Sequence, residues 1–178
     1  MTRINSSKKG GKNEREIAKL FEEWTGTEFV RVPRSGGLHW KSGMSVTGDI
    51  IPADPFDLVQ FPFTIEAKFY AAITFQDLIL PNKSDIAKFY AQSTRDGVSV
   101  GKYPLVLFRY NRMKKHLYFV VMGYKQFIRV RKLMPLENGW FNYRNEFVIF
   151  TSDNLFATDF EEFLETLNFK PQKALKKF

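Results

Sequence analysis

Thr64-Ile65-Glu66-Ala67-Lys68-Phe69-Tyr70 is the stretch on which the fold reading turns. Successive side chains of a strand leave on opposite faces. Ile65, Ala67 and Phe69 therefore form an apolar row, and Glu66 and Lys68 stand together on the other side. A carboxylate paired with an ammonium in this way has a chemical use. Glu66 can hold a divalent cation, while Lys68 can orient or deprotonate a water or offset charge on a reacting phosphate. Taken alone, the triplet is better explained by a solvated ion pair, because acid-x-Lys matches arise by chance.

Outward from this strand, the pattern predicts a mixed succession of elements. A polar, basic arm over residues 1–12 (with Lys8, Lys9 and Lys12) precedes a helix from Asn13 to Trp24. Asn13 is the expected N-cap, Ile17, Leu20, Phe21 and Trp24 form one apolar stripe, and Gly26 ends the helix. Glu28–Pro33 alternates as a strand, and Arg34–Gly48 reads as a Gly- and Ser-rich loop carrying His39, Trp40 and Lys41. Asp49–Ile51 and Phe63–Tyr70 read as strands joined by a connection holding Pro52, Pro55 and Pro62. Thr74-Phe75-Gln76-Asp77 resembles a capping box, and a helix is expected over Ser84–Asp96. Two β-rich runs, Tyr103–Tyr110 and His116–Tyr124, flank the basic turn Asn111-Arg112-Met113-Lys114-Lys115. A short helix over Gln126–Leu133, a hairpin over Trp140–Phe150 and a helix over Thr158–Leu167 complete the order. That order predicts an α/β fold, a central mixed β-sheet flanked by helices, in a single domain spanning residues 13–178.

Composition narrows the chemistry. Lys plus Arg number 27 against 19 Asp plus Glu, a net charge of +8 that attracts polyanions such as DNA. The absence of cysteine removes disulfides, thiolate catalysis and Cys-based zinc sites. With only two histidines, a metal would be held by oxygen, which points to Mg²⁺ with Mn²⁺ as a substitute. No apolar run approaches membrane-spanning length, so an intracellular, cytoplasmic protein without a membrane partner is expected.

Two further acids join the triplet as candidates. Asp49 follows Gly48 at the head of a predicted strand that can neighbour Phe63–Lys68, so Asp49 and Glu66 can converge on one ion. Glu14, in the first turn of the first helix, can add a third carboxylate. Each has a plain alternative: a turn residue after glycine for Asp49, a partner of the helix dipole for Glu14. Three carboxylates and a lysine are what metal-assisted phosphodiester hydrolysis needs.

Four blocks in order, Lys9-Gly10-x-x-x-Glu14-Arg15, Arg31-x-Pro33-x-Ser35-Gly36, Asp49-Ile50-Ile51 and Ile65-Glu66-x-Lys68, resemble the archaeal-type Holliday junction resolvases. These belong to the PD-(D/E)XK nuclease superfamily, with relatives in archaea and phages. The resemblance implies a restriction-endonuclease-like fold and a homodimer that nicks opposing strands of a four-way DNA junction. It implies Glu14, Asp49 and Glu66 as metal ligands, Lys68 as the fourth member of the motif, and Ser35 near the scissile phosphate. Lys8, Lys9, Lys12, Arg15, Arg31, Arg34 and Lys41 would serve DNA. The chain departs from the pattern with Gly48 in place of the usual proline. A long segment between Asp49 and Glu66 contains Asp57, a rival for the metal position. The alternatives are a nuclease of the same superfamily with a homing, restriction or phage-genome task, and a DNA-binding module of the same fold that does not cut.

Overall fold

A computed structural model describes residues 6–32, 39–40, 44–74, 76, 80 and 84–171, with backbone only at 6–9, 39–40 and 44–45. Helix α1 (Ser6–Thr25) leads into strand β1 (Phe29–Arg31). A short hairpin, β2 (His39–Trp40) and β3 (Met44–Ser45), precedes β4 (Ile50–Pro52), helix α2 (Pro55–Gln60) and β5 (Phe63–Tyr70). Helix α3 (Asp85–Val100) crosses to β6 (Tyr103–Tyr110), which turns into β7 (Phe119–Gly123) and α4 (Tyr124–Val130). The chain ends with β8 (Phe141–Tyr143), β9 (Phe147–Thr151), α5 (Ser152–Phe156) and α6 (Phe160–Leu167).

The main sheet has seven strands in the order β1-β4-β5-β6-β7-β9-β8. Only β5 and β6 run parallel, joined through α3; the other neighbours are antiparallel. This is the mixed sheet flanked by helices that the element order predicts. Helix α1 and the C-terminal helices cover one face with a continuous apolar core that includes Ile17, Phe21, Ile65, Leu105, Leu107, Val120 and Phe163. Helix α3 covers the other, where Ile86 packs with Val106, Phe108, Val121 and Phe147. No helix among the described residues is long and apolar enough to cross a membrane.

Besides the β2–β3 hairpin, which lies in the stretch 34–48 expected as a loop, three local outcomes differ from the pattern reading. Helix α1 starts at Ser6, so residues 6–12, expected in the basic arm, are helical, and Asn13 lies inside the helix at 4% exposure and is no N-cap. Nothing from Ser6 to Lys12 breaks a helix outright, and Gly11 has a packing reason. A Cβ there would stand 3.2 Å from the Arg31 guanidinium. Second, the Pro-rich connection holds helix α2. Pro55 occupies its first turn, where a missing N–H costs nothing, and the Asp54 carboxylate accepts from Phe56 N at 2.8 Å and Asp57 N at 3.3 Å. Third, Thr151 leads directly into the short helix α5, which pattern reading left out.

Elsewhere the local signals translate directly. The Ser84 hydroxyl caps α3 by accepting from Ala87 N at 3.1 Å, and Gly101 ends it in the left-handed region at φ 68°. Strand β6 spans Tyr103–Tyr110, as the β-rich run predicts. Of the Thr74–Asp77 box, Phe75 and Asp77 lie outside the described residues.

Candidate active site

Glu66 stands mid-strand in β5 on the α3 face, 3% exposed. Lys68, two residues on, reaches back to its carboxylate in an ion pair. From α3, Gln92 Nε2 donates to the same Glu66 Oε1 at 3.1 Å. Lys68 also lies 5.5 Å from the ring centre of Phe89 on that helix. Strand and helix together therefore fix both ends of the pair.

Asp49 sits just before β4, and its contacts settle its place. Its backbone N–H donates to Ile65 O at 2.8 Å, and its Oδ2 accepts from Ala67 N at 2.9 Å. Those partners are the residues immediately before and after Glu66, so Asp49 brackets it. The turn that permits this needs glycine at 48. Gly48 has φ +92°, and a Cβ there would meet Ile65 O at 2.6 Å. The departure from proline thus has a local cause, because this backbone conformation is closed to proline and strained for any residue with a Cβ.

The electrostatics follow from that proximity. Burial pushes the Glu66 pKa up, and the neighbouring Asp49 carboxylate adds to the rise, outweighing the lowering by Lys68. A buried carboxylate with a second, half-buried one beside it is unfavourable for the protein alone. Their oxygens could serve as hard donors of the kind that divalent cations select.

Glu14 is also buried, 4% exposed, and its carboxylate is held by an ion pair and hydrogen bond from Arg31 at the end of β1. The structure thus brings Asp49, Glu66 and Lys68 together, and Glu14 is bonded to Arg31. Among the described residues no three acidic or histidine side chains close into a metal-holding group. Arg31, expected on DNA phosphate, is the Glu14 partner; Arg15 is exposed, and Lys12 is exposed with Glu16 at 4.0 Å. Asp57, the rival acid, lies in the first turn of α2, where a carboxylate suits the helix dipole. Ser35, Arg34 and Lys41 lie outside the described residues, as do the side chains of Lys8, Lys9 and Trp40.

Gln92 is the site residue that sequence reading missed. It lies 26 positions from Glu66, and only the packing of α3 onto β5 brings them together; an amide in a helix carries no signal of its own.

A family model described as "Phage putative PDDEXK endonuclease" matches residues 5–174. Protein D14 of Escherichia phage T5 is 28% identical over 111 residues, covering 61% of this chain and 67% of that protein. No solved structure matches the chain.

Proposed function

The chain belongs to the family described as "Phage putative PDDEXK endonuclease", and we propose that it is a metal-dependent endodeoxyribonuclease cutting through Asp49, Glu66 and Lys68. The observation that carries this reading is the bracketing of Glu66 by Asp49, with Lys68 on the same carboxylate. Asp49 and Glu66 would hold Mg²⁺, with Mn²⁺ as a substitute. When bound, such an ion neutralises the phosphate and makes a water more acidic. Lys68, already oriented by Glu66 and Phe89, places its ammonium where it offsets charge on the phosphate or positions the attacking water. Gln92 keeps the Glu66 carboxylate from rotating away.

Glu14 enters as the anchor of Arg31, turning the guanidinium toward a DNA phosphate. Direct metal ligation by Glu14 is the rival assignment, and a binding measurement separates the two. As an anchor, Glu14→Gln leaves the Mg²⁺-induced rise in melting temperature unchanged; as a ligand, it reduces that rise. Ser35, by resemblance, sits near the scissile phosphate, and the basic residues Lys8, Lys9, Lys12, Arg15, Arg34 and Lys41 grip the backbone, which makes binding salt-dependent.

The substrate we propose is a four-way junction, resolved by paired nicks from a homodimer, on the strength of the four ordered blocks. The phage family favours a second reading, a nuclease that processes phage genomes. Cleavage of four-way junctions, flapped, nicked and linear DNA, with and without Mg²⁺, tests both. Junction-selective cutting that requires the ion supports the first, and equal cutting of all substrates overturns it. No cutting of any DNA overturns the nuclease reading itself.

A further inference from the structure

On the face of the sheet that bears Glu66 and Lys68, the strand register runs two transverse rows away from the candidate site. Lys68 is paired with Phe108, and Phe108 with Phe119. Glu66 is paired with Val106, then Val121, then Ile149, then Phe141. Paired residues of neighbouring strands project to the same side, so each row is a continuous track of side chains.

Both rows enter one open cleft of about 510 Å³, within the roughly 300–1,000 Å³ usual for small-ligand sites. Phe108, Tyr110, Phe119, Trp140 and Phe141 line it, with Asn138 at the wall. The rings of Tyr110 and Phe119 are nearly parallel, 13° between planes with centroids 6.4 Å apart, and Trp140 and Phe141 are each 40% exposed. Large aromatic rings left in water are a cost that a stacking partner would relieve.

The rim carries the complementary charge. The turn that follows Tyr110, a lining residue, presents Arg112, Lys114 and Lys115 to solvent, cations within a few residues of the cleft that could meet the backbone of a strand entering it. With strands about 4.8 Å apart, Phe119 lies on the order of 10 Å from Lys68, a few nucleotide rises of about 3.4 Å. Rings for stacking, a hydrogen-bonding amide, a basic rim and this spacing match one occupant, a nucleobase.

We propose that this cleft takes an unpaired base of the DNA a few nucleotides from the bond that is cut, so that the enzyme selects DNA in which a base is free to leave the duplex. Trp140 and Phe141 supply the stacking surfaces and Asn138 meets the base edge. This inference rests on the nuclease reading for its position near a scissile phosphate but not for base binding itself.

The test uses the full chain and two variants, Trp140→Ala and Phe141→Ser, each checked by thermal melting because Trp140 packs 5.0 Å from the buried Phe127. The probe is a duplex with one unpaired 2-aminopurine, titrated without divalent metal, beside a fully paired control. Wild-type protein should quench the unpaired probe, and either variant should weaken that binding by roughly 5- to 100-fold while duplex affinity stays the same. With Mg²⁺, the preference for cutting the unpaired substrate over the paired one should shrink by a similar factor. Unchanged quenching and unchanged preference in both folded variants overturns the cleft while leaving the nuclease intact. Quenching that depends on Trp140 without any cleavage by the wild type supports the cleft and removes the nuclease.

Discussion

The two faces of the sheet are made by the same strands and obey opposite rules. Under α1, the alternating residues Ile65, Leu105, Leu107, Val120 and Met122 meet a helix stripe of Ile17 and Phe21, and all are essentially inaccessible. Under α3, one step along the same strand, Glu66 is nearly as buried as Ile65 yet is an ionisable acid, paired to Lys68, held by Gln92 and crowded by Asp49. One face stores stability, while the other holds groups that the protein alone would do better without. The period-two alternation of β5 makes this division possible, because a shift of one residue would exchange the two sets.

The largest test of that division is to damage the storing face. Phe21 is fully buried and touches the rings of Trp24, Phe29, Phe61 and Phe156 at centroid distances of 5.3–6.0 Å. Phe21→Ala should lower unfolding free energy by about 3–5 kcal/mol, read from the urea midpoint. Cleavage per folded molecule should stay near the wild-type value. A large loss of activity at full folding would show that the faces are not separable.

Damage to the other face should do the reverse. Asp49→Asn or Glu66→Gln should reduce cleavage by roughly 10²–10³-fold or more, with DNA binding retained in a mobility-shift assay. Glu66→Gln should also melt no lower than wild type without metal. The folded state holds the Glu66 proton more tightly than the unfolded chain does, because of burial and Asp49. Ionising Glu66 therefore costs stability as pH rises from the ordinary carboxylate range through the raised pKa, and that cost persists at neutral pH. A neutral amide avoids it. Unchanged cleavage in either variant would refute the assignment.

How much of this the sequence discloses depends on whether the deciding interaction is local. Alternation in Thr64–Tyr70 and Tyr103–Tyr110 is carried by adjacent residues, so β5 and β6 and their faces are legible. The convergence of Asp49 on Glu66 is foreseeable as strand pairing, but its form is not. It depends on side-chain capping of the Ala67 amide and on a positive φ at Gly48. Glu14 shows the limit from the other side. Its burial fits an active-site acid, and its ion pair with Arg31, set by how α1 lies across β1, carries no signal in the sequence. Asn13 carries a capping signal that α1 overrides by starting at Ser6. The Asp54-Pro55 start of α2 is a true helix signal that sits among prolines and reads as a loop.

A smaller effect probes the seam between the faces. Gly48→Ala puts a methyl 2.6 Å from Ile65 O at φ +92°, so the turn must shift. About 1–3 kcal/mol of destabilisation follows from the strained backbone. Because the shift moves Asp49, cleavage should fall more than the loss of folded protein explains. Equal losses in stability and activity would mean that Gly48 serves the fold alone.

The smallest effect concerns an exception on the storing side. Lys102 donates to Leu58 O and lies 5.8 Å from the ring centre of Phe61, a member of the α1-face core. Burial drops its pKa to about 8, below the unfolded value of about 10.4. The unfolded chain therefore binds this proton more tightly, and stability rises with pH while the folded form gives it up. Tyr90 and Tyr118, both pushed up to about 12 mainly by burial, keep their protons in the folded state over this range. Between about pH 7 and 9, Lys102 should add roughly 1 kcal/mol to the unfolding free energy. Lys102→Met should flatten that slope in urea titrations at the two pH values. If the slope survives the substitution, the ammonium is hydrated in place and the storing face tolerates charge at its margin.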